Sequence, residues 1–597
     1  MSRLCPILAA VMLLLPVAVR ADDDNDELAR QARSVLRRHC LRCHNGSGSE
    51  GGDFDILNVT HLVDEYGLVT DGDPADSLLL ERVVEETMPP FEIRERTPVT
   101  AGEAEILRRW IAEGAAVFPV GEGREFIQLT DVLQAMHDFL RTQRPEDRQF
   151  IRFFTLHNLY NNSRILSEDL PIYRAALSKA LNSLSNQSRI ALPRAIDTAS
   201  HLGSGRAGSL SETVYAIDVR DYGWDEDDLW TEVIRAYPYG VSYENLLDDR
   251  LQQLDGEIVR MSGSDLPMIR ADWFITTAMR PPLYHALLRI PDTADELEQQ
   301  LDVDIPGRFR QPAANRLARA GFAKSGVSGQ NRMVERTDGA FGAYWKSYDF
   351  KPGRKRAKLS RFPLGPRNLF AGTSHPFDAQ AFEHDGGEII WHLPNGLQGY
   401  MLIDGEGGRI DEGPIDVVSD ALKTSGTPAI VNGVSCMACH KHGMIPFQDS
   451  IRDHSAVFGA AQRKVQDLYP AASVMQQLVE QDRERFMEAL EECIGPFLKT
   501  GANKDTPIED FPEPVAEVAR LHRLVFLDLE TVACELNIED PQQLILRVGL
   551  RTLKELGLDA LAQKDGVISR LDWEAFEGTS LMQDLASQLG FTPQIVF

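Results

Sequence analysis

Cys40-Leu41-Arg42-Cys43-His44 decides how this chain is read, and Cys436-Met437-Ala438-Cys439-His440 repeats its pattern. Two thiols three positions apart can each add to one vinyl group of a haem, and the adjoining imidazole reaches the iron. Two other chemistries use such a pair. A thioredoxin-like pair follows a strand and opens a helix, whereas Glu27 to His39 has the pattern of an amphipathic helix that ends at the first motif. A zinc site needs four ligands, and the second pair lies in a remote part of the chain. Two covalently attached haem c groups are therefore expected. Cys40, Cys43 and His44 would hold one, and Cys436, Cys439 and His440 the other.

The first motif has a candidate distal ligand in Thr87-Met88-Pro89-Pro90. Enough chain separates Met88 from His44 to cross the opposite haem face, and the two prolines stiffen that loop. A thioether is a soft ligand that favours Fe(II) and raises the reduction potential. Beyond it, Thr100 to Gly114 predicts a helix with Thr100 as N-cap and Glu103 completing a capping box. Its apolar face, Ile106, Leu107, Trp110 and Ile111, is expected to close the pocket. The acidic run Asp22–Asp26 suits the start of the helix ahead of the motif.

Taken in order, Cys-x-x-Cys-His44-Asn-Gly, the glycine-rich Ser47–Gly52, Ser77-x-Leu79, Met88-Pro-Pro and Trp110-Ile-Ala-Glu-Gly-Ala115 resemble the planctomycete-type cytochrome c domain. The resemblance covers about residues 30–118. It implies a small helical cytochrome with His44 and Met88 as axial ligands, and it is silent on the rest of the chain.

The second motif stands in different surroundings. Gly387-Glu-Ile-Ile-Trp-His-Leu393 and Leu397-Gln-Gly-Tyr-Met-Leu-Ile403 flank Pro394-Asn-Gly396, which predicts a hairpin ahead of it. No Met-Pro follows. Four arrangements of the sixth ligand stay open: His454, placed in a helical stretch from Ser450 onward; His384, just before the hairpin; Met444, which has little chain with which to cross a haem; and an open position. His384-Asp-Gly-Gly-Glu388, Leu393-Pro-Asn-Gly-Leu-Gln-Gly-Tyr400 and the Ser435–His440 core resemble haem-bearing regions that accompany the planctomycete-type domain in large exported proteins. That similarity implies haem binding and no particular activity.

Residues 121–375 read as mixed α/β. Glu168–Leu184 has a helical pattern, Thr213–Arg220 alternates as a strand does, and Asp221–Asp225 and Tyr237–Gly240 are aromatic turns. Arg354, Lys355, Arg356 and Lys358 form a basic run that can steer an acidic partner, neutralise propionates or simply be solvated. After a proline-bearing linker at Pro507–Pro514, residues 515–536, 541–556 and 572–576 read as helices. Asp404-Gly-Glu-Gly-Gly408 lacks the spacing of a calcium loop and reads as a turn.

The expected fold class is mainly α and multi-domain. Residues 1–21 form a signal peptide, 22–120 a small helical cytochrome c domain, and 121–375 a mixed α/β middle. Residues 376–500 form a second haem region with a β-hairpin, and 501–597 a helical C-terminal domain. A length of 597 residues supports several domains.

Arg3, the apolar run Ile7–Val19 and Val19-Arg-Ala21 have the form of a Sec-type signal peptide cleaved after Ala21. A periplasmic or secreted protein without a stable membrane span is the expectation. Cys5 would leave with the peptide, so only Cys493 and Cys534 lie outside the motifs, as a disulfide or as two buried thiols. The formal net charge of −28, from 90 acidic and 62 basic residues, argues against nucleic acid and attracts cationic redox partners. The functional expectation is a periplasmic dihaem c-type cytochrome that transfers electrons to or from a redox partner protein. A dihaem oxidoreductase, such as a peroxidase or a dehydrogenase subunit with an open second haem, and a haem-bearing binding or sensor scaffold are the alternatives.

Overall fold

Leu28, Ala29, Ala32, Val35 and Leu36 recur at helical spacing, and all five are buried on α1, Ala18–His39, in the computed structural model. The structure describes residues 18–41, 43–46, 54–91, 98–118, 124–197, 211–311, 317–322, 331–350, 359–370, 372–415, 418–420, 423–524 and 526–596. Most of the expected signal peptide, the glycine-rich Ser47–Gly52 and the basic run Arg354–Lys358 lie outside these residues. Helix α1 runs back through Asp22–Asp26 instead of starting after it, because no proline or glycine interrupts Ala18–Asp26.

The chain divides into two units, Met1–Val120 and Gly121–Phe597. In the first, α1 is followed by α2, Leu78–Val84, and α3, Ala101–Ala112. Thr100 and Glu103 form the expected capping box on α3, whose Leu107, Trp110 and Ile111 are buried. Glu103 also accepts from Arg38 at 3.0 Å and contacts His39 at 3.2 Å, which ties the start of α3 to the end of α1.

The second unit is built on two sheets. In the smaller, β1, Ile151–Thr155, lies between β3, Val214–Asp218, and β4, Met268–Arg270, with β2, Arg194–Ala195, at the far edge of β3. Helix α4, Leu170–Ser183, is buried along nearly its whole length, and α5, Ala271–Ala278, follows β4 directly. The larger sheet is a six-stranded antiparallel meander. Its strands are β5, Leu317–Phe322; β6, Asn331–Gly339; β7, Gly342–Phe350; β8, Gly386–His392; β9, Gln398–Asp404; and β10, Arg409–Ile410. The expected hairpin is β8–β9, with Ile390 opposite Tyr400 and Glu388 opposite Leu402.

This sheet takes strands from both sides of residue 375, so the middle and the second motif's region share one framework. The reason is pairing: β7 bonds to β8 across the whole intervening segment, with Trp345 opposite Ile390. Helices occupy 47% of the described residues, yet the second motif rests on a sheet, so the architecture is mixed rather than mainly helical.

The second motif ends α6, Val434–Cys439, and the chain then runs to α7, Ala472–Leu498, and α8, Pro514–Leu524. The helix expected from Ser450 onward is absent. Asp449 accepts from the backbone of Gly321, Ile451 and Arg452, which pins a turn to the edge strand, and helix resumes only at Ala460. The tail also breaks where one helix was expected. Asp528 caps a new helix at Leu529–Glu535, and Gly549, at φ +85°, separates Pro541–Val548 from Leu550–Glu555.

Two buried ion-pair groups fasten this tail to the middle. Lys179 of α4 meets Glu513 at 2.7 Å, with side chains 3% and 4% exposed. Arg270 reaches Glu535 at 2.7 Å and also pairs with Asp272. Arg570 donates to the same Glu535 at 2.6 Å, and His522 meets Glu574 at 2.7 Å. Among the described residues no helix is long and apolar enough to cross a membrane.

Candidate functional site

The first motif is wound onto the end of α1. The amide of Cys40 donates to Leu36 O at 2.8 Å, and the amides of Cys43 and His44 both donate to Cys40 O at 3.1 Å. A short strand pair, Asn45–Gly46 with Phe54–Asp55, follows and sets Phe54 opposite Gly46. The His44 ring stacks on Phe54 with centroids 4.5 Å apart, and Tyr66 packs beside Phe54 at 5.6 Å. Burial would raise the pKa of Glu103, but hydrogen bonds from Thr100 and His39 outweigh it and hold the carboxylate below its usual range. It stays charged where it joins α3 to the residue before Cys40.

Met88 follows α2 in a tight turn, its amide donating to Arg82 O at 3.0 Å. It is 40% exposed, with Phe91 at 61%, although both are apolar. They line a cavity of about 380 Å³ together with Val83, Glu86, Pro89, Pro98 and Val99. A concave, partly apolar surface bearing a thioether suits a flat macrocycle with an apolar body and charged propionates, and exposed apolar side chains grouped in this way mark a binding surface. The donor set of the first unit, two thiols, an imidazole and a thioether, fits haem c.

The second motif is preceded by a glycine that the backbone requires. Gly433 has φ +87°, and a Cβ there would stand 2.6 Å from Met279 O and 3.1 Å from the Tyr284 ring. That close approach docks α6 beside the end of α5, and Asn432 Nδ2 lies 2.7 Å from His285 Nε2. Cys436 is buried on α6 while Cys439 is half-buried. Burial, and then the nearby Glu388 carboxylate, push the Cys436 thiol well above its ordinary pKa.

His440 caps α6 and faces one side of the six-stranded sheet. Its Nδ1 lies 3.2 Å from Gly443 O, which fixes the ring and leaves Nε2 as the outward nitrogen. Tyr400 of β9 packs at 6.2 Å from the ring. Glu388 Oε2 of β8 stands 3.7 Å from Nε2, and its side chain is 17% exposed. Burial raises its pKa, but the neighbouring His440 imidazole, then the charge of Arg332, bring it down to about 2. The donor set here, two cysteines and an imidazole oriented by a backbone carbonyl, likewise suits a haem.

The other histidines named from the sequence stand elsewhere. His384 packs edge-on against Tyr348, with centroids 5.3 Å apart. Along β7, Tyr348 alternates away from Trp345 and Ser347, so its side chain lies on the sheet face opposite Glu388. His454 is exposed in the turn that Asp449 organises, its amide bonding to Ile451 O at 3.2 Å. Met444 is buried just beyond Gly443. Cys493 and Cys534 are unbridged and buried, and Cys493 Sγ lies 3.5 Å from Ser178 Oγ.

Glu388 is the site residue that sequence reasoning missed, although it lies within the predicted hairpin. Its signal was a single carboxylate between two glycines and an apolar strand run, which places a charge on a covered sheet face.

Residues 40–92 match the family model Planctomycete cytochrome C. The match contains Cys40, Cys43, His44 and Met88, and a cytochrome c domain implies covalently bound haem c. No curated protein matches the chain, and no solved structure does.

Proposed function

We propose that this chain is an exported dihaem c-type cytochrome that passes electrons between a cationic redox protein and a second partner. The observation that carries this reading is the repetition of one donor set in two folded settings: paired thiols followed by an imidazole, at His44 and at His440. At the second, the bond between Nδ1 and Gly443 O gives the ring the orientation an iron ligand needs.

Cys40 and Cys43, and Cys436 and Cys439, would each add S–H across a vinyl group to form thioethers, so no atom is lost and no external oxidant is consumed. His44 and His440 would each hold an iron through an imidazole nitrogen, and Met88 would offer a thioether sulfur to the iron of the first site. Haem iron supplies one-electron transfer when bound. The chain sets the direction of flow by giving the two irons unlike surroundings. Met88, a soft ligand on a cavity wall, would raise one potential, while a carboxylate beside His440 would lower the other. The net charge of −28 favours encounter with a cationic partner.

Mass spectrometry of the protein made with a c-type maturation system tests this directly. The expected mass carries two haems that survive denaturation and lacks residues 1–21. A single haem removes the second site from the reading, and retention of residues 1–21 removes cleaved export. Rapid-mixing reduction by a cationic redox protein should slow as salt is raised, and a rate indifferent to salt overturns the electrostatic partner.

A further inference from the structure

We propose that Glu388 is the oxygen ligand of the second iron, occupying the position across from His440. This rests on the dihaem reading and deepens it.

The first argument is reach. A histidine nitrogen holds a metal at about 2 Å, and Glu388 Oε2 is already 3.7 Å from His440 Nε2. An iron carried on that nitrogen therefore arrives in the immediate neighbourhood of the carboxylate.

The second argument is charge. Glu388 has two neighbours at the motif: His440 Nε2 at 3.7 Å and the buried Cys436 thiol. Haem attachment consumes both. A thioether sulfur has no hydrogen to donate, and an Nε2 bound to iron is no longer a donor. The adjacent guanidinium of Arg332 is committed to Asp349 in a two-pronged pair at 2.6 and 2.7 Å. Arg332 adds its charge from nearby, and a largely buried carboxylate whose neighbours change in this way is stabilised by a direct cationic partner. Ferric iron is the one that haem attachment brings.

The third argument is placement. Glu388 lies inside the sheet rather than on a loop, its own amide donating to Ser347 Oγ at 2.9 Å. Its neighbour Gly387 packs so closely that a Cβ there would meet Ser347 O at 2.0 Å, which fixes the strand backbone beside it. His384 is directed to the opposite sheet face, and His454 is exposed in its turn.

The test compares the full haem-loaded chain with Glu388→Gln, Glu388→Ala and Glu388→His. Haem content by mass comes first. If wild type carries no second haem, the dihaem reading fails and the failure is visible as such. With two haems present, Glu388→Ala and Glu388→Gln should change the ferric absorption and electron spin resonance spectra of one haem only. They should raise that haem's potential and increase its affinity for added imidazole by roughly tenfold or more, as a ligand no longer competes. Glu388→His should turn the same haem into a low-spin bis-histidine centre. Two-haem variants with wild-type spectra, potentials and imidazole affinity overturn the proposal. Glu388→Gln retains shape and volume, so it remains informative if Glu388→Ala fails to fold.

Discussion

At the scale of single residues, two positions carry more consequence than their size suggests. Gly433 combines a left-handed backbone with a carbonyl 2.6 Å from where a Cβ would sit. Gly433→Ala is therefore expected to lower stability by about 1–3 kcal/mol, read as a shift of the denaturation midpoint, and to reduce haem retention at Cys436 and Cys439. Met88 is an apolar side chain left 40% exposed on the wall of a cavity. Met88→Ala should abolish a sulfur-to-iron absorption band and lower the potential of one haem; a band that persists assigns the ligand elsewhere. The cysteines, His44, His440 and Met88 could be named as candidates from the sequence because covalent attachment and ligand softness belong to residue types. Glu388 was not, because a lone carboxylate declares nothing until its neighbours are known.

Elements hold these residues through a few buried charges. Glu513→Gln leaves Lys179 buried without its partner and should cost about 3–5 kcal/mol, whereas replacing both by apolar residues of similar volume should recover most of the loss. A calorimetric double-mutant cycle reads both. The tail helices add an acid-sensitive fastening. Burial pushes the Glu574 carboxyl up, but His522 and then Arg570 and Arg523 hold it at about 2. An unfolded glutamate titrates near 4.3, so the unfolded chain takes up more protons as the pH falls. The contribution is fully present above about pH 4.3 and is lost as the pH drops towards 2. Glu574→Gln should flatten the fall in stability across that window, and an unchanged profile would place the acid sensitivity elsewhere. The α3 capping box and the β8–β9 hairpin were readable from local pattern. The turn at Ser450 was not, since Asp449 makes it by bonding to Gly321 in a distant strand.

For the whole molecule, the second unit runs unbroken from Gly121 to Phe597. Lys179 meets Glu513 at 2.7 Å, and Gln583 donates to Gly240 O at 2.6 Å, so the tail completes the middle. A fragment of residues 121–500 should consequently lack cooperative unfolding, while residues 22–120 should fold alone and retain haem; circular dichroism melts of the two fragments decide this. Boundaries at 375 and 500 were drawn from changes in composition, which do not show that strands on either side of 375 pair. By itself the sequence determined the two Cys-x-x-Cys-His motifs, the cytochrome character of residues 40–92 and the acidic charge, because each depends on residue identity and short spacing. The tertiary structure alone decided what faces His440. Which side chain meets another across a sheet depends on register and on the alternation of faces. Those placed Glu388 beside the imidazole and turned His384 to the other side.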